Sequence, residues 1–204
     1  MISERIGNLV RGRLLSLGSA LAGLGLTPNM LTIIGLILNA VVAVIIATGH
    51  PVWGGVLLLF ASAFDMLDGA VARATGLTSD FGGFLDSTID RYSEVIVFGG
   101  VLFYMLDTED ARTGAILTFV AAAGALLISY ARARAEAAGY KASVGLLARP
   151  ERVLVLAVGL IFGIEIWALW FLAIATHLTA VTRILHVWRA SEADKAADSA
   201  SQAH

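Results

Sequence analysis

Four aspartates stand at fixed intervals between positions 65 and 90, in the pattern Asp65-x2-Asp68-Gly69-x2-Ala72-Arg73-x8-Gly82-x3-Asp86-x3-Asp90. The sequence on either side, LLLFASAF before and VIVFGGVLF after, is strongly apolar. An ionised carboxylate at membrane depth costs about 2.5–3.5 kcal/mol on insertion scales, so it needs partners and marks function. Asp65 and Asp68 are three residues apart and Asp86 and Asp90 four apart, so on helices each pair shares one face. Two such pairs on neighbouring helices would bring eight carboxylate oxygens together. Their mutual repulsion would keep some of them protonated unless cations intervene. Hard oxygen donors without Cys or clustered His favour Mg²⁺, Mn²⁺ or Ca²⁺ over zinc. The stretch therefore reads as a divalent-cation site with room for two ions. A single intramembrane Asp would equally suit helix packing or a proton relay; four at these spacings, with Gly69 and Arg73 between them, favour the metal.

The elements that must position these carboxylates follow from composition and punctuation. The chain has 204 residues, 58% of them hydrophobic and none of them Cys, and its mean hydropathy is +0.82. That excludes a soluble domain, disulfides and thiolate chemistry. The net charge of −2 decides little, because orientation depends on where Lys and Arg lie. No nucleic-acid partner is expected. The fold class is an all-α integral membrane protein, with six transmembrane helices preceded by an amphipathic interfacial helix.

Residues 1–25 form that first helix. Ile2, Ile6, Leu9, Val10, Leu14, Leu17 and Leu21 recur at three- and four-residue steps with Arg5, Arg11 and Arg13 between them, a pattern suited to an anionic membrane surface. The start lacks a compact signal-peptide core and is expected to be retained. Residues 26–190 hold the six spans: about 29–48, 52–75, 81–106, 113–130, 149–162 and 166–188, set off by Pro28, Gly49-His50-Pro51, the loop 76–80, the acidic loop at 107–110, the small-residue loop 139–148 and Gly163. Both Asp pairs then fall at the same end of adjacent helices. Residues 191–204 read as a disordered tail.

Nearly all Lys and Arg fall toward the side holding both termini, from Arg5 to Lys195, while Arg112 lies opposite with Asp107, Glu109, Asp110 and Glu165. The positive-inside rule makes the first side cytoplasmic, so the protein is expected in the cell (inner) membrane with its Asp cluster opening to the cytoplasm. A second group of cations, Arg132, Arg134, Arg149, Arg152 and Arg183, is scattered in sequence but shares that membrane level. Converged, these arginines would hold a phosphate dianion; left apart, they would simply set topology and meet lipid headgroups.

The string D-x2-D-G-x2-A-R-x8-G-x3-D-x3-D is similar to the signature of the CDP-alcohol phosphotransferases, integral membrane enzymes of phospholipid synthesis, and every fixed position matches. The resemblance implies a two-metal enzyme, normally homodimeric, that moves a phosphatidyl group from CDP-diacylglycerol to an alcohol and releases CMP. It implies that Asp65, Asp68 and Asp86 are metal ligands and that Asp90 is both a ligand and the proton acceptor, with Mg²⁺ or Mn²⁺ as the cofactor. It also implies a CDP cradle of Asn29 and Thr32, in a TPNxLT string, with Gly69, Arg73 and Ser79. The residue types fit these roles. Gly69 lets backbone approach a nucleotide without a Cβ, and Arg73 offers a planar fork for phosphate. Taken alone, Arg73 would be a snorkelling arginine and Thr32 a packing hydroxyl, while Gly82 serves helix packing or ligand contact equally well.

The strings SYARARAEAAG, ARPERV and DSTIDR resemble the inositol-phosphate-using branch of that family. Arg132 stands where that branch often carries Lys, which keeps the charge and changes its geometry. The expected acceptor is inositol phosphate, with glycerol 3-phosphate as the alternative. A divalent-cation transporter is the competing class, but the carboxylates sit at one end of the spans and the outer halves are apolar.

Overall fold

The computed structural model describes residue 16 and residues 18–202, and all regular structure among them is α-helical. Most of the expected interfacial helix lies outside the described residues; residues 18–23 of it are helical. The remaining helices are α1 (Pro28–Ala47), α2 (Pro51–Phe64), α3 (Met66–Thr75), α4 (Asp80–Leu106), α5 (Ala111–Ala137), α6 (Arg149–Phe162) and α7 (Glu165–Gln202). They form two compact units, divided between Tyr104 and Met105.

The helix starts follow local chemistry. Pro28 opens α1, and the Thr27 hydroxyl caps it by accepting the Met30 N–H at 3.3 Å. Prolines likewise open α2 and α6. Helices α3 and α6 end at Gly76 (φ +69°) and Gly163 (φ +67°), a left-handed conformation that glycine adopts without a Cβ penalty.

Four segments are long and apolar enough to cross a bilayer: Pro28–Ala47, Pro51–Thr75, Ala111–Ala137 and Glu165–Ala196. The chain is thus a membrane protein, and large apolar side chains such as Trp53, Phe60, Phe119 and Trp167 face outward on these segments. The other two expected spans are helices of different character. Helix α4 carries Asp80, Asp86, Asp90, Arg91 and Glu94 between its start and just past its midpoint. Helix α6 has 14 residues, about 21 Å of helix against a hydrocarbon core of about 30 Å.

Two expectations change in detail. The segment from Pro51 to Thr75 is interrupted at Asp65 (φ −57°, ψ −19°), where α2 passes into α3 while the Asp65 N–H still donates to Ala61 O at 3.0 Å. The tail read as disordered from residue 191 is instead helical to Gln202. Its alanines favour helix, and a Lys195–Glu192 pair at 2.8 Å adds an i,i+3 contact.

In the first unit α1 is central. Helix α4 crosses it with Gly100 against the Ala43 backbone, and α2 packs with Gly54 against Ile46. In the second unit α5 and α7 pack closely, with Gly124 against Thr176, the small-residue approach typical of membrane helices. The Thr176 hydroxyl donates to Leu172 O at 2.7 Å, and that of Thr179 to Ala175 O at 2.8 Å, so neither is left unsatisfied in the core.

Candidate active site

A cavity of about 250 Å³ opens in the first unit. Asn29 and Thr32 reach it from the first turns of α1, Asp68, Gly69 and Arg73 from α3, Ser79 from the α3–α4 connection, and Asp86 from α4. These include all five residues expected to cradle the nucleotide, together with two of the four aspartates. Pro28, Ala72, Leu77, Thr78, Gly82 and Gly83 complete the lining. Gly82 thereby has a place at the cavity, and Thr78 and Gly83 are wall residues that carry no sequence signal of their own.

Asp68 is held by two hydrogen bonds. It is buried; its Oδ2 accepts the Thr32 hydroxyl at 2.9 Å and its Oδ1 the backbone N–H of Gly69. Each carboxylate oxygen keeps a lone pair for a further partner. Gly69 serves its neighbour: a Cβ there would stand 3.2 Å from Arg73 Nη1, so the missing methyl gives the guanidinium its place. Arg73 is exposed and has no ion-pair partner among the described residues. The Ser79 hydroxyl accepts the Gly82 N–H at 3.0 Å, capping α4, and its own hydrogen remains to be donated.

The N-termini of both α1 and α4 therefore face this cavity. Helix N-termini carry unsatisfied N–H groups and the positive end of the dipole, which favours anions. Together with Arg73 they make one wall of the cavity anion-attracting. Asp68 and Asp86 make the other wall acidic. Such a surface holds an anion and a cation side by side.

Asp65 and Asp90 do not line the cavity. Asp65 Oδ1 is turned onto Gly35 of α1, where a Cβ would collide with it. Asp90 Oδ2 lies 3.5 Å from Arg91 Nη2, and Arg91 Nε is 4.0 Å from Glu94 Oε2. Among the described residues no three carboxylate or imidazole groups stand together as a ligand set, so the eight oxygens are not gathered as one cluster. Sharing a helix face is not sharing a level: Asp90 lies one turn, about 6 Å, along α4 from Asp86. The donor set nevertheless suits a hard cation. Mg²⁺ is held by one or two carboxylates plus substrate phosphates and water, and Asp68 and Asp86 supply the two carboxylates.

The five arginines expected to bind an acceptor phosphate lie in the second unit. Arg152 is buried at 3% exposure on α6, and Arg149 is half-buried one turn earlier. Arg183, also buried, donates from Nη1 to Ile128 O at 2.7 Å and from Nε to Val144 O at 3.0 Å. Two of its five N–H groups thus tie the 138–148 loop to α5. Arg132 and Arg152 stand within range of Arg183's charge, and Arg132 pairs with Glu136 at 2.8 Å. Arg134 is two residues from Arg132, so it points to another side of α5. The structure thus brings Arg132 and Arg152 each within range of Arg183, while Arg134 meets Arg183 along a separate cavity between α5 and α7.

Known proteins are similar to this chain in sequence and in fold. The sequence model of the CDP-alcohol phosphatidyltransferases matches residues 25–188. The phosphatidylinositol phosphate synthase of Mycobacteroides abscessus is 39% identical over 184 residues, covering 86% of this chain and 83% of that one. The archaetidylinositol phosphate synthase of Pyrococcus horikoshii is 36% identical over 182 residues, covering 89% and 94%. Among solved structures, the phosphatidylinositol phosphate synthase of Mycobacterium tuberculosis with CDP-DAG bound superposes with a TM-score of 0.81 at 33% identity, over 86% of this chain and 93% of that one. The same enzyme in complex with manganese and citrate superposes equally well, over 86% of this chain and 88% of that one. The chain belongs to the CDP-alcohol phosphatidyltransferase family, a family of enzymes and not of ion transporters.

Proposed function

We propose that this protein transfers a phosphatidyl group from CDP-diacylglycerol, or its ether-lipid analogue, to inositol phosphate, giving phosphatidylinositol phosphate and CMP. The observation that carries this reading is the cavity in which two carboxylates, the Arg73 guanidinium and two helix N-termini meet. Relatives named for inositol phosphate lipids support the choice of acceptor.

In this reading Asn29, Thr32, Gly69, Arg73 and Ser79 hold the CDP group. Arg73 and the N-termini of α1 and α4 face the pyrophosphate oxygens. Asp65, Asp68, Asp86 and Asp90 hold Mg²⁺ or Mn²⁺, with Asp65 and Asp90 flanking the two cavity carboxylates. When bound, a pair of such cations supplies neutralising charge for the attacking and leaving oxygens. Thr32 fixes the orientation of Asp68. A new bond forms from an acceptor hydroxyl oxygen to the phosphorus next to the diacylglycerol, and the bond from that phosphorus to the CMP phosphate breaks. Asp90 accepts the proton of the attacking hydroxyl. Arg152, with Arg132, Arg149 and Arg183, holds the acceptor's phosphate by charge-assisted contacts.

The same reading gives the chain six spans, α4 and α6 crossing with the four apolar segments. It sets the protein in the inner membrane as a homodimer, both termini and the cavity cytoplasmic. The positive side of the chain, from Arg73 to Lys195, supports the orientation.

The test measures CMP release from CDP-diacylglycerol with inositol phosphate, glycerol 3-phosphate and free inositol at equal concentration, then repeats it with Arg152→Ala. Inositol phosphate should be used best, and Arg152→Ala should remove the advantage of the phosphorylated acceptor. Preference for glycerol 3-phosphate would change the product. Equal use of free inositol, indifferent to Arg152→Ala, would sink the acceptor assignment.

A further inference from the structure

The second unit holds a larger cavity, which shares Arg183 with the acceptor site proposed above and is otherwise lined by residues given no part in the transfer. It is a groove of about 520 Å³ between α5 and α7. Leu127, Tyr130, Ala131 and Ala135 form one wall and Val181 and Ile184 much of the other. On α5 the lining positions recur at three- and four-residue steps, one continuous helix face. The groove spans about ten residues of each helix, roughly 15 Å.

Its charge is one-sided. Arg134 lines the groove and, among the described residues, has no hydrogen-bond or ion-pair partner. The nearest carboxylate on its own helix, Glu136, is taken by Arg132 at 2.8 Å. Arg183 backs the groove with a second positive charge. Both helices contribute apolar membrane-crossing segments, and Tyr130 and Trp188 stand outward near the Arg134 end at 64% and 60% exposure. Amphipathic aromatic rings of this kind settle at the headgroup level.

We propose that this groove is a binding site for an anionic membrane glycerophospholipid, with its phosphate on Arg134 and one acyl chain lying between α5 and α7. A neutral acyl chain would fill the walls but leave the guanidinium unpaired at the edge of the hydrocarbon. A water-soluble phosphate would pair the guanidinium but leave a long apolar trough empty. Only a ligand that is anionic at one end and apolar along its length satisfies both, and basic pockets between membrane helices take such lipids. This site does not depend on which acceptor the enzyme uses.

The test is lipid retention on the purified full chain, read by native mass spectrometry after exchange from mixed micelles of phosphatidylglycerol and phosphatidylcholine. The wild type should retain phosphatidylglycerol about tenfold over phosphatidylcholine, and Arg134→Lys should keep most of that preference. Arg134→Gln should abolish the preference, and Ala131→Phe, which fills the groove, should lower retention of both lipids. Arg73→Ala should leave the preference intact, because it alters the other cavity. Equal retention of the two lipids by the wild type, or an unchanged preference in Arg134→Gln, would overturn the proposal. So would displacement by millimolar inorganic phosphate, loss of the lipid in Arg73→Ala, or dissociation of an oligomer by Ala131→Phe, which would make the groove a contact with a second copy.

Discussion

The bond from Thr32 to Asp68 is the most informative single contact to break. Thr32→Val keeps the shape of the side chain and removes only the hydroxyl, so no cavity is created. In the structure that hydroxyl lies 2.9 Å from Asp68 Oδ2, a buried contact, and 3.1 Å from Pro28 O, a partly buried one. A hydrogen bond to a charged group contributes about 1.5–3 kcal/mol. If this bond holds the carboxylate in its working orientation, its loss falls on the transition state. At 1.36 kcal/mol per decade the rate should drop about 10- to 150-fold. Loss of such an orienting partner also costs roughly 10–100-fold in metal affinity, so the Mn²⁺ concentration for half-maximal activity should rise within that range. The assay is CMP release in detergent micelles, titrated with Mn²⁺ for wild type, Thr32→Val and Thr32→Ser. Thr32→Ser restores the donor and should recover most of the activity. Native activity and native Mn²⁺ dependence in folded Thr32→Val would refute the orienting role of Thr32, and an equally inactive Thr32→Ser would show that the methyl and not the hydroxyl matters.

Further outcomes follow from the same geometry. Asp90→Asn should leave the protein folded and able to bind CDP-diacylglycerol while transfer is lost, measured by lipid binding alongside single-turnover CMP release; near-native turnover would remove Asp90 from proton transfer. Gly100→Val should destabilise by about 3 kcal/mol, the upper range for overpacking, because its Cβ would stand 2.7 Å from Ala43 Cα and backbone cannot rotate away. Gly99→Val, with nothing within 4 Å, is its neutral control in a melt followed by tryptophan fluorescence. In a chain without native Cys, Ser79→Cys should label with an impermeant thiol reagent only after the inner face is opened, and Glu109→Cys should label from outside intact cells. Labelling of both from outside would reverse or break the six-span orientation.

What the sequence determined by itself is local. Pro28, Pro51 and Pro150 fix helix starts and Gly76 and Gly163 fix ends, because these residues restrict or release backbone angles whatever surrounds them. Apolar runs long enough to span a bilayer are likewise legible, since hydropathy needs no partner. The aspartate string, read with its Gly and Arg, pointed to the right family because its residue types at fixed intervals are nearly unique. Tertiary structure decided which groups meet. Thr32 and Asp68 are 36 residues apart in sequence, and no periodicity pairs them. The four aspartates share two helix faces, yet only Asp68 and Asp86 line the cavity, because depth along each helix and the turn of each side chain are set by neighbours such as Gly35 and Arg91. The five arginines share a membrane level, yet Arg183 gives two donors to the carbonyls of Ile128 and Val144, and Arg134 faces the groove between α5 and α7. Spacing along a helix fixes direction around its axis; only packing fixes what stands opposite.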